Sequence, residues 1–199
     1  KKDEPLKPGV AFPFVKRFLG LNKLFPNQEP FRVVALSRNS PETARRFFNS
    51  CRHYQLPIHA GAFTSGQSTF PYISAFKVSL FLSANAVNVS QAIEAGLPGG
   101  LVLPNRMADD SDDDDPTLRI AFDFDGVLAD DESERCYQKE GLSAFHKNEM
   151  EKAETPHAPG PLRDLFARLS AFQRLDYQTR GSKDPSVSYT HLRAHETTL

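Results

Sequence analysis

The stretch "LRIAFDFDGVLADDESE", residues 118–134, decides how the chain is read. An apolar run leads straight into Asp123 and Asp125, one residue apart, and Gly126 follows at once. On a strand, side chains at i and i+2 share a face, so the two carboxylates repel unless a cation lies between them. Magnesium suits such a pair, because one or two carboxylates hold it and it keeps several waters. Gly126 allows the backbone to turn closely around a bound group. A carboxylate beside a hard cation can attack phosphorus, and a second acid can protonate the leaving oxygen and then activate water. The strand is therefore expected to present a nucleophile and its acid-base partner to one metal-bound phosphate.

Three more apolar runs surround this one. "FRVVALS" (31–37), "VSLFLSA" (78–84) and "GLVLP" (100–104) read as strands buried on both faces. After the first, Ser40 is placed to cap a helix and Pro41 suits its first turn, with Ala44, Phe47, Phe48 and Cys51 at helical spacing. A shorter helical pattern follows the second run and ends at Gly96. Strand alternating with helix predicts an α/β fold, a mostly parallel sheet covered by helices, with strands 31–37, 78–84 and 118–124 parallel. Ligands of such sheets bind beyond the carboxyl ends of the strands, where Asp123 and Asp125 fall. Helical patterns follow over 132–153.

Two features divide the chain. "ADDSDDDDP" (108–116) holds six aspartates in nine residues. It lacks the sharp-turn glycine and distal glutamate of an EF-hand loop, so a solvated linker is favoured over a calcium site. "PLKPGVAFPFVKRFLGL" (5–21) also aligns without gaps on "PHAPGPLRDLFARLSAF" (156–172), an internal repeat of a proline-led apolar-basic helix. If the repeat holds, the counterpart of Asp123 lies roughly 30 residues before Lys1. The organisation expected is a first α/β half over 1–107 that lacks its first strand, an acidic linker at 108–117, the start of a catalytic half over 118–175, and a polar tail over 176–199.

Composition excludes several classes. The 199 residues are 39% hydrophobic and 25% charged, a globular balance, and the net charge of -1 gives no basic stripe for nucleic acid. Cys51 and Cys136 match no zinc or redox spacing, which favours a reducing, cytoplasmic setting. No apolar run is long enough to span a membrane, and "KKDEPLKPG" lacks the core of a signal peptide. The missing initiator methionine suggests a fragment.

"FDFDGVLAD" resembles the first motif of the haloacid dehalogenase superfamily, Asp-x-Asp-Gly-Val/Thr after an apolar strand. With "LSRNSPETARRFFNS" (36–50), "AFTSGQS" (62–68), "LFLSANAVNVSQAIEAG" (80–96) and "RIAFDFDGVLADDESER" (119–135), the chain is similar to the cytosolic 5′-nucleotidase I family. The resemblance implies a haloacid dehalogenase-like, Rossmann-like fold with a helical cap segment. It implies Asp123 as nucleophile and magnesium ligand, and Asp125 as general acid-base that also gives its backbone carbonyl to the metal. The implied activity is magnesium-dependent hydrolysis of nucleoside 5′-monophosphates such as AMP through an aspartyl phosphate. Two alternatives stay open: a non-catalytic nucleotide-binding module, and a phosphatase of another small phosphorylated metabolite.

The resemblance also requires a Ser or Thr after a second strand, a phosphate-binding Lys and a further acid, all expected after residue 175, where none is recognisable. "DPSVSYTHLRAHETTL" (184–199) instead resembles translated adapter sequence, so the tail is read as non-native. In the first half, Ser37, Arg38 and Asn39 of "LSRNS" resemble a second motif; Arg38 could hold phosphate bidentately, while Ser37 and Asn39 equally suit a strand-to-helix turn. "TSGQS" (64–68) is read as a loop rather than a phosphate nest. Asp130, Asp131 and Glu132 are read as favourable to a helix dipole, His146 and His157 as solvated, and Phe12, Phe14 and Phe18 as core.

Overall fold

The computed structural model describes residues 4–25, 27–104 and 118–180. The acidic linker, 108–117, and most of the expected tail lie outside the described residues. Helix α1 (Phe12–Gly20) runs into a 3-10 turn (Leu21–Leu24), and a strand–helix alternation follows: β1 (Val34–Ser37), α2 (Pro41–His53), β2 (Ala60–Phe63), α3 (Phe70–Ala75), β3 (Phe81–Ser83), α4 (Ala86–Glu94) and β4 (Gly99–Leu101). After the linker come one π-helical turn (Phe124–Leu128), α5 (Glu132–Glu140), α6 (Leu142–Glu151) and α7 (Arg163–Arg180).

The strands pair in parallel, β1 with β2 from Val34↔Ala60 to Ser37↔Phe63, and β3 with β4 from Phe81↔Gly99 to Ser83↔Leu101. This bears out the α/β class with short parallel sheets. Strand β2 was not anticipated. No backbone ladder joins the two pairs among the described residues, yet Leu36 of β1 packs on the buried cluster of Ile73, Phe81 and Ala92 beneath β3.

The expected strand at 118–124 is a correction. Residues 118–123 carry no regular structure, and helical backbone begins at Phe124. An apolar run makes a strand only when a neighbour completes its ladder, and here Ile120 is 40% exposed while Phe122 packs against α7 residues instead.

Helix starts follow the local sequence rules in part. Pro41 opens α2 after an extended Ser40, but the Ser40 side chain makes no capping hydrogen bond. Asn85 does cap α4, its side chain accepting the Asn88 N–H at 3.2 Å. Of the phenylalanines expected in the core, Phe18 packs on buried Phe31 with ring centroids 4.6 Å apart, while Phe12 and Phe14 are half-buried, Phe12 edge-on to Tyr54 and Phe14 stacked on Phe18. Asn22 fixes the entry to β1, donating to the Phe31 carbonyl at 2.8 Å and accepting the Phe31 N–H at 3.0 Å.

The internal repeat has a structural counterpart. In its alignment Phe12 falls on Arg163, and α1 and α7 start at those residues. The Phe12 N–H donates to the Gly9 carbonyl (2.9 Å) as the Arg163 N–H donates to Gly160 (3.2 Å), and Val15–Ala11 is matched by Phe166–Leu162, both at 3.0 Å. Phe18 and Leu169, and Leu21 and Phe172, are aligned pairs in one core around Phe25 and Phe31, and Leu24 and Leu175, just past each copy, join it. The two copies thus bury equivalent faces in a shared cluster. Helix α7 runs on to Arg180, into the segment read as tail.

Candidate functional site

The backbone turn that carries the acids is shaped by glycine and by a neighbouring segment. Gly126 has φ +69, in the left-handed region, which lets the chain reverse between Asp125 and Asp130; its N–H points to the Asp130 carbonyl at 3.4 Å. Residues 158–162, from the second copy of the repeat, then lace the turn. The Asp130 N–H donates to Ala158 (2.9 Å), the Gly160 N–H to Leu128 (2.9 Å) and the Leu162 N–H to Val127 (3.1 Å), around an antiparallel bridge between Ala129 and Pro159. Ala129 is buried beneath this clasp.

The side chains divide as follows. Asp123 is exposed just before the turn, and Asp125 and Gly126 lie within it; the Asp125 side chain is outside the described set. Because 118–124 is not a strand, the shared-face argument for Asp123 and Asp125 loses its basis, and their nearness rests on the turn. Asp130 is half-buried, and its Oδ1 is buried with no hydrogen-bond partner among the described residues. Asp123, Asp125 and Asp130 lie on one short segment, and a buried carboxylate oxygen without a hydrogen-bond partner is a hard donor of the kind that suits a hard divalent cation. The described side chains assemble no group of three or more metal-binding residues.

The helical patterns expected over 132–153 are α5 and α6, which pack on each other with Tyr137 edge-on to Phe145. Lys152, just past α6, forms an ion pair with Glu132 at the start of α5. The hydrogen bond and charge of Lys152 hold the Glu132 carboxyl below the usual carboxylate range, and Glu132 in turn raises the Lys152 ammonium. A cavity of about 390 Å³ opens here, lined by Glu132, Asn148, Lys152, Thr155 and His157 among others. Asp131 pairs with Arg135 at 3.2 Å on the first turn of α5, consistent with the helix-start reading. His146 and His157 are exposed, as expected.

In the first half, Ser37, Arg38 and Asn39 end β1. The Ser37 Oγ accepts the Asn39 N–H at 3.1 Å, so part of the turn-shaping reading holds. Arg38 is exposed and its guanidinium reaches Asn88 Oδ1 at 3.4 Å. The loop 64–68 is no anion nest, because the N–H groups of Thr64, Ser65, Gly66 and Gln67 all donate to protein carbonyls. Ser83, Asn85 and Asn88, at the end of β3 and on α4, join this polar group; the signal for them was the Leu-Ser-x-Asn pattern repeated at 36–39 and 82–85.

The profile of a family described as 5'-nucleotidase matches residues 1–194. The chain is 33% identical over 177 residues to the human protein "Cytosolic 5'-nucleotidase 1B", covering 86% of this chain and 29% of that protein. The chain thus spans less than a third of the length of this curated relative. No solved structure matches.

Proposed function

The chain belongs to the 5'-nucleotidase family, and from that premise we propose that it carries the nucleophile-bearing part of a magnesium-dependent phosphoric monoester hydrolase acting on nucleoside 5′-monophosphates, AMP-like, in the cytosol. The observation that carries the reading is the clasped turn: a glycine-shaped reversal bearing Asp123, Asp125 and Asp130, pinned through Gly160 to the repeat segment. Such a turn holds the carboxylates at fixed positions before substrate arrives, and preorganisation of this kind is a large part of catalysis.

Each residue has a role. Asp123, exposed and anionic, attacks the phosphorus and takes the phosphoryl group as an aspartyl phosphate while the nucleoside leaves. Asp125 protonates the departing 5′ oxygen, then takes a proton from the water that hydrolyses the acyl phosphate and restores Asp123. Gly126 lets the backbone approach the phosphate. Asp123, Asp125 and the orphaned oxygen of Asp130 are the residues that would hold magnesium, which when bound offsets the negative charge shared by phosphate and carboxylates. Ser37, Arg38 and Asn39 supply phosphate-binding donors from the first half. Helix α5 touches the acid turn, and the cavity beside Glu132 and Lys152 would accept the nucleoside.

Phosphate release from AMP with magnesium tests the reading. Asp123→Asn is expected to abolish release, because an amide is no anionic nucleophile. Asp125→Asn is expected to slow it by about 10²–10⁴-fold. Equal release by the parent chain and Asp123→Asn would sink the proposal.

A further inference from the structure

Two places in the chain set a hydroxyl residue before a proline, Ser40-Pro41 and Thr155-Pro156, and the fold presents them differently. Ser40 is half-buried at the start of α2, where its carbonyl accepts the Thr43 N–H at 3.0 Å and Pro41 already belongs to the helix. Thr155 lies in the connection between α6 and α7, and it, Pro156, His157 and Ala158 are all exposed. Proline fixes its own backbone and pushes the residue before it toward an extended conformation, so Thr155-Pro156 can lie along the groove of an enzyme that reads an extended chain. Ser40-Pro41 would first have to unwind the start of α2.

The surroundings of Thr155 hold a cation that a new anion can reach. The Thr155 N–H donates to the Lys152 carbonyl at 2.7 Å, which closes a turn and keeps the threonine beside the lysine. Thr155, Lys152, Glu132 and His157 line the same cavity. Lys152 is engaged there by Glu132, in the contact that ties the end of α6 to the start of α5. Both partners of that pair are about half exposed, at 46% and 50%, so an incoming anion can compete for the ammonium. Three residues past Thr155 the Ala158 carbonyl accepts the Asp130 N–H, so the same loop runs on into the clasp of the acid turn.

We propose that Thr155 is a phosphorylation site for a proline-directed protein kinase, and that the phosphate takes Lys152 from Glu132 and loosens α5 from α6. In the transfer the Thr155 Oγ bonds to the γ-phosphorus of ATP, the bond from that phosphorus to the β–γ bridging oxygen breaks, ADP departs, and the hydroxyl proton passes to the base of the kinase. The product carries a charge of about −1.5 to −2 at neutral pH and three strong acceptor oxygens, against the single charge of Glu132. The ammonium three residues back along the turn therefore transfers to it, and the tie between the helices is lost. The switch is independent of the chemistry assigned to Asp123.

Incubation of the 199-residue chain with a cyclin-dependent kinase and, separately, a mitogen-activated protein kinase, each with magnesium ATP, tests the site by peptide mass spectrometry. Phosphate is expected at Thr155 and not at Ser40, and Thr155→Ala removes it. Amide exchange then tests the switch. Protection at the start of α5 falls about two- to fivefold in the phosphorylated chain, the scale of an exposed ion pair, whereas phosphorylation of Lys152→Ala, where no pair remains to break, changes it no further. A Thr155 left unmodified by both kinases overturns the proposal, as does labelling that prefers Ser40. So does equal protection with and without phosphate at Thr155, or an equal further fall in Lys152→Ala.

Discussion

Gly160 lies so close to Ala129 that a methyl group on its Cα would fall 2.3 Å from the Ala129 carbonyl oxygen, and 2.5 Å from that of Val127. Main chain on main chain leaves no flexible group to move aside. Gly160→Ala must therefore push the repeat segment off the acid turn, at about 1–3 kcal/mol, and should lower AMP turnover along with the melting temperature. Unchanged melting and turnover would show that the clasp does not position the turn.

Asn22 makes the corresponding tie in the first half, closing both backbone groups of buried Phe31. Asn22→Ala leaves a buried N–H and carbonyl unpaired, so urea unfolding should show a loss of about 1–3 kcal/mol with an unchanged m-value. A change under a few tenths of that would mean that water replaces the amide freely.

Magnesium should stabilise the fold if the acid turn holds it. At a hundred times the dissociation constant a ligand adds about 2.7 kcal/mol, seen as a rise in melting temperature. Asp123→Asn removes one negative ligand and should shrink that rise, as should Asp130→Asn. Identical shifts in parent and both variants would place the ion elsewhere.

The Glu132–Lys152 pair gives the cap a predictable response to pH. Glu132 is held below its ordinary value, so its contribution is present above the unfolded carboxylate range and is lost as pH falls through the lower folded value. Lys152 is raised, so its contribution is full below the ordinary lysine value and is lost as pH rises through the higher folded one. The pair is therefore intact across neutral pH and opens only in acid or strong alkali. Both groups are exposed, so the effect on global stability is small. Amide exchange where the start of α5 meets the end of α6, corrected for intrinsic rates, should accelerate in Lys152→Ala at pH 7 but match the parent in acid. Equal protection of the two at pH 7 would rule out a role for the pair.

Residue chemistry made some of this visible in advance and hid the rest for physical reasons. The run Val33 to Ser37 followed by Ser40-Pro41 announces a strand and a helix start, because β propensity and proline geometry act locally. Residues 118–124 have the same apolar look, but a ladder needs a partner, and a partner is a property of the whole fold. Strand β2, Ala60–Phe63, stayed hidden because two alanines and a glycine carry little hydrophobic signal. Asp123, Asp125 and Gly126 stood out by their spacing, whereas the buried Oδ1 of Asp130 was indistinguishable from an ordinary helix-start acid. The Leu-Ser-x-Asn pattern at 82–85 repeats that at 36–39, but only the fold brings Arg38 to Asn88.

The central claim is that Asp123 carries the phosphoryl group, and trapping that group tests it most directly. Borohydride reduces an aspartyl phosphate to homoserine, so the chain is quenched during turnover of AMP with magnesium, reduced, and mapped by peptide mass spectrometry. The account predicts homoserine at position 123 and nowhere else, absent when AMP or magnesium is omitted. Phosphate release that leaves residue 123 unmodified, homoserine at another aspartate, or no release at all would contradict it.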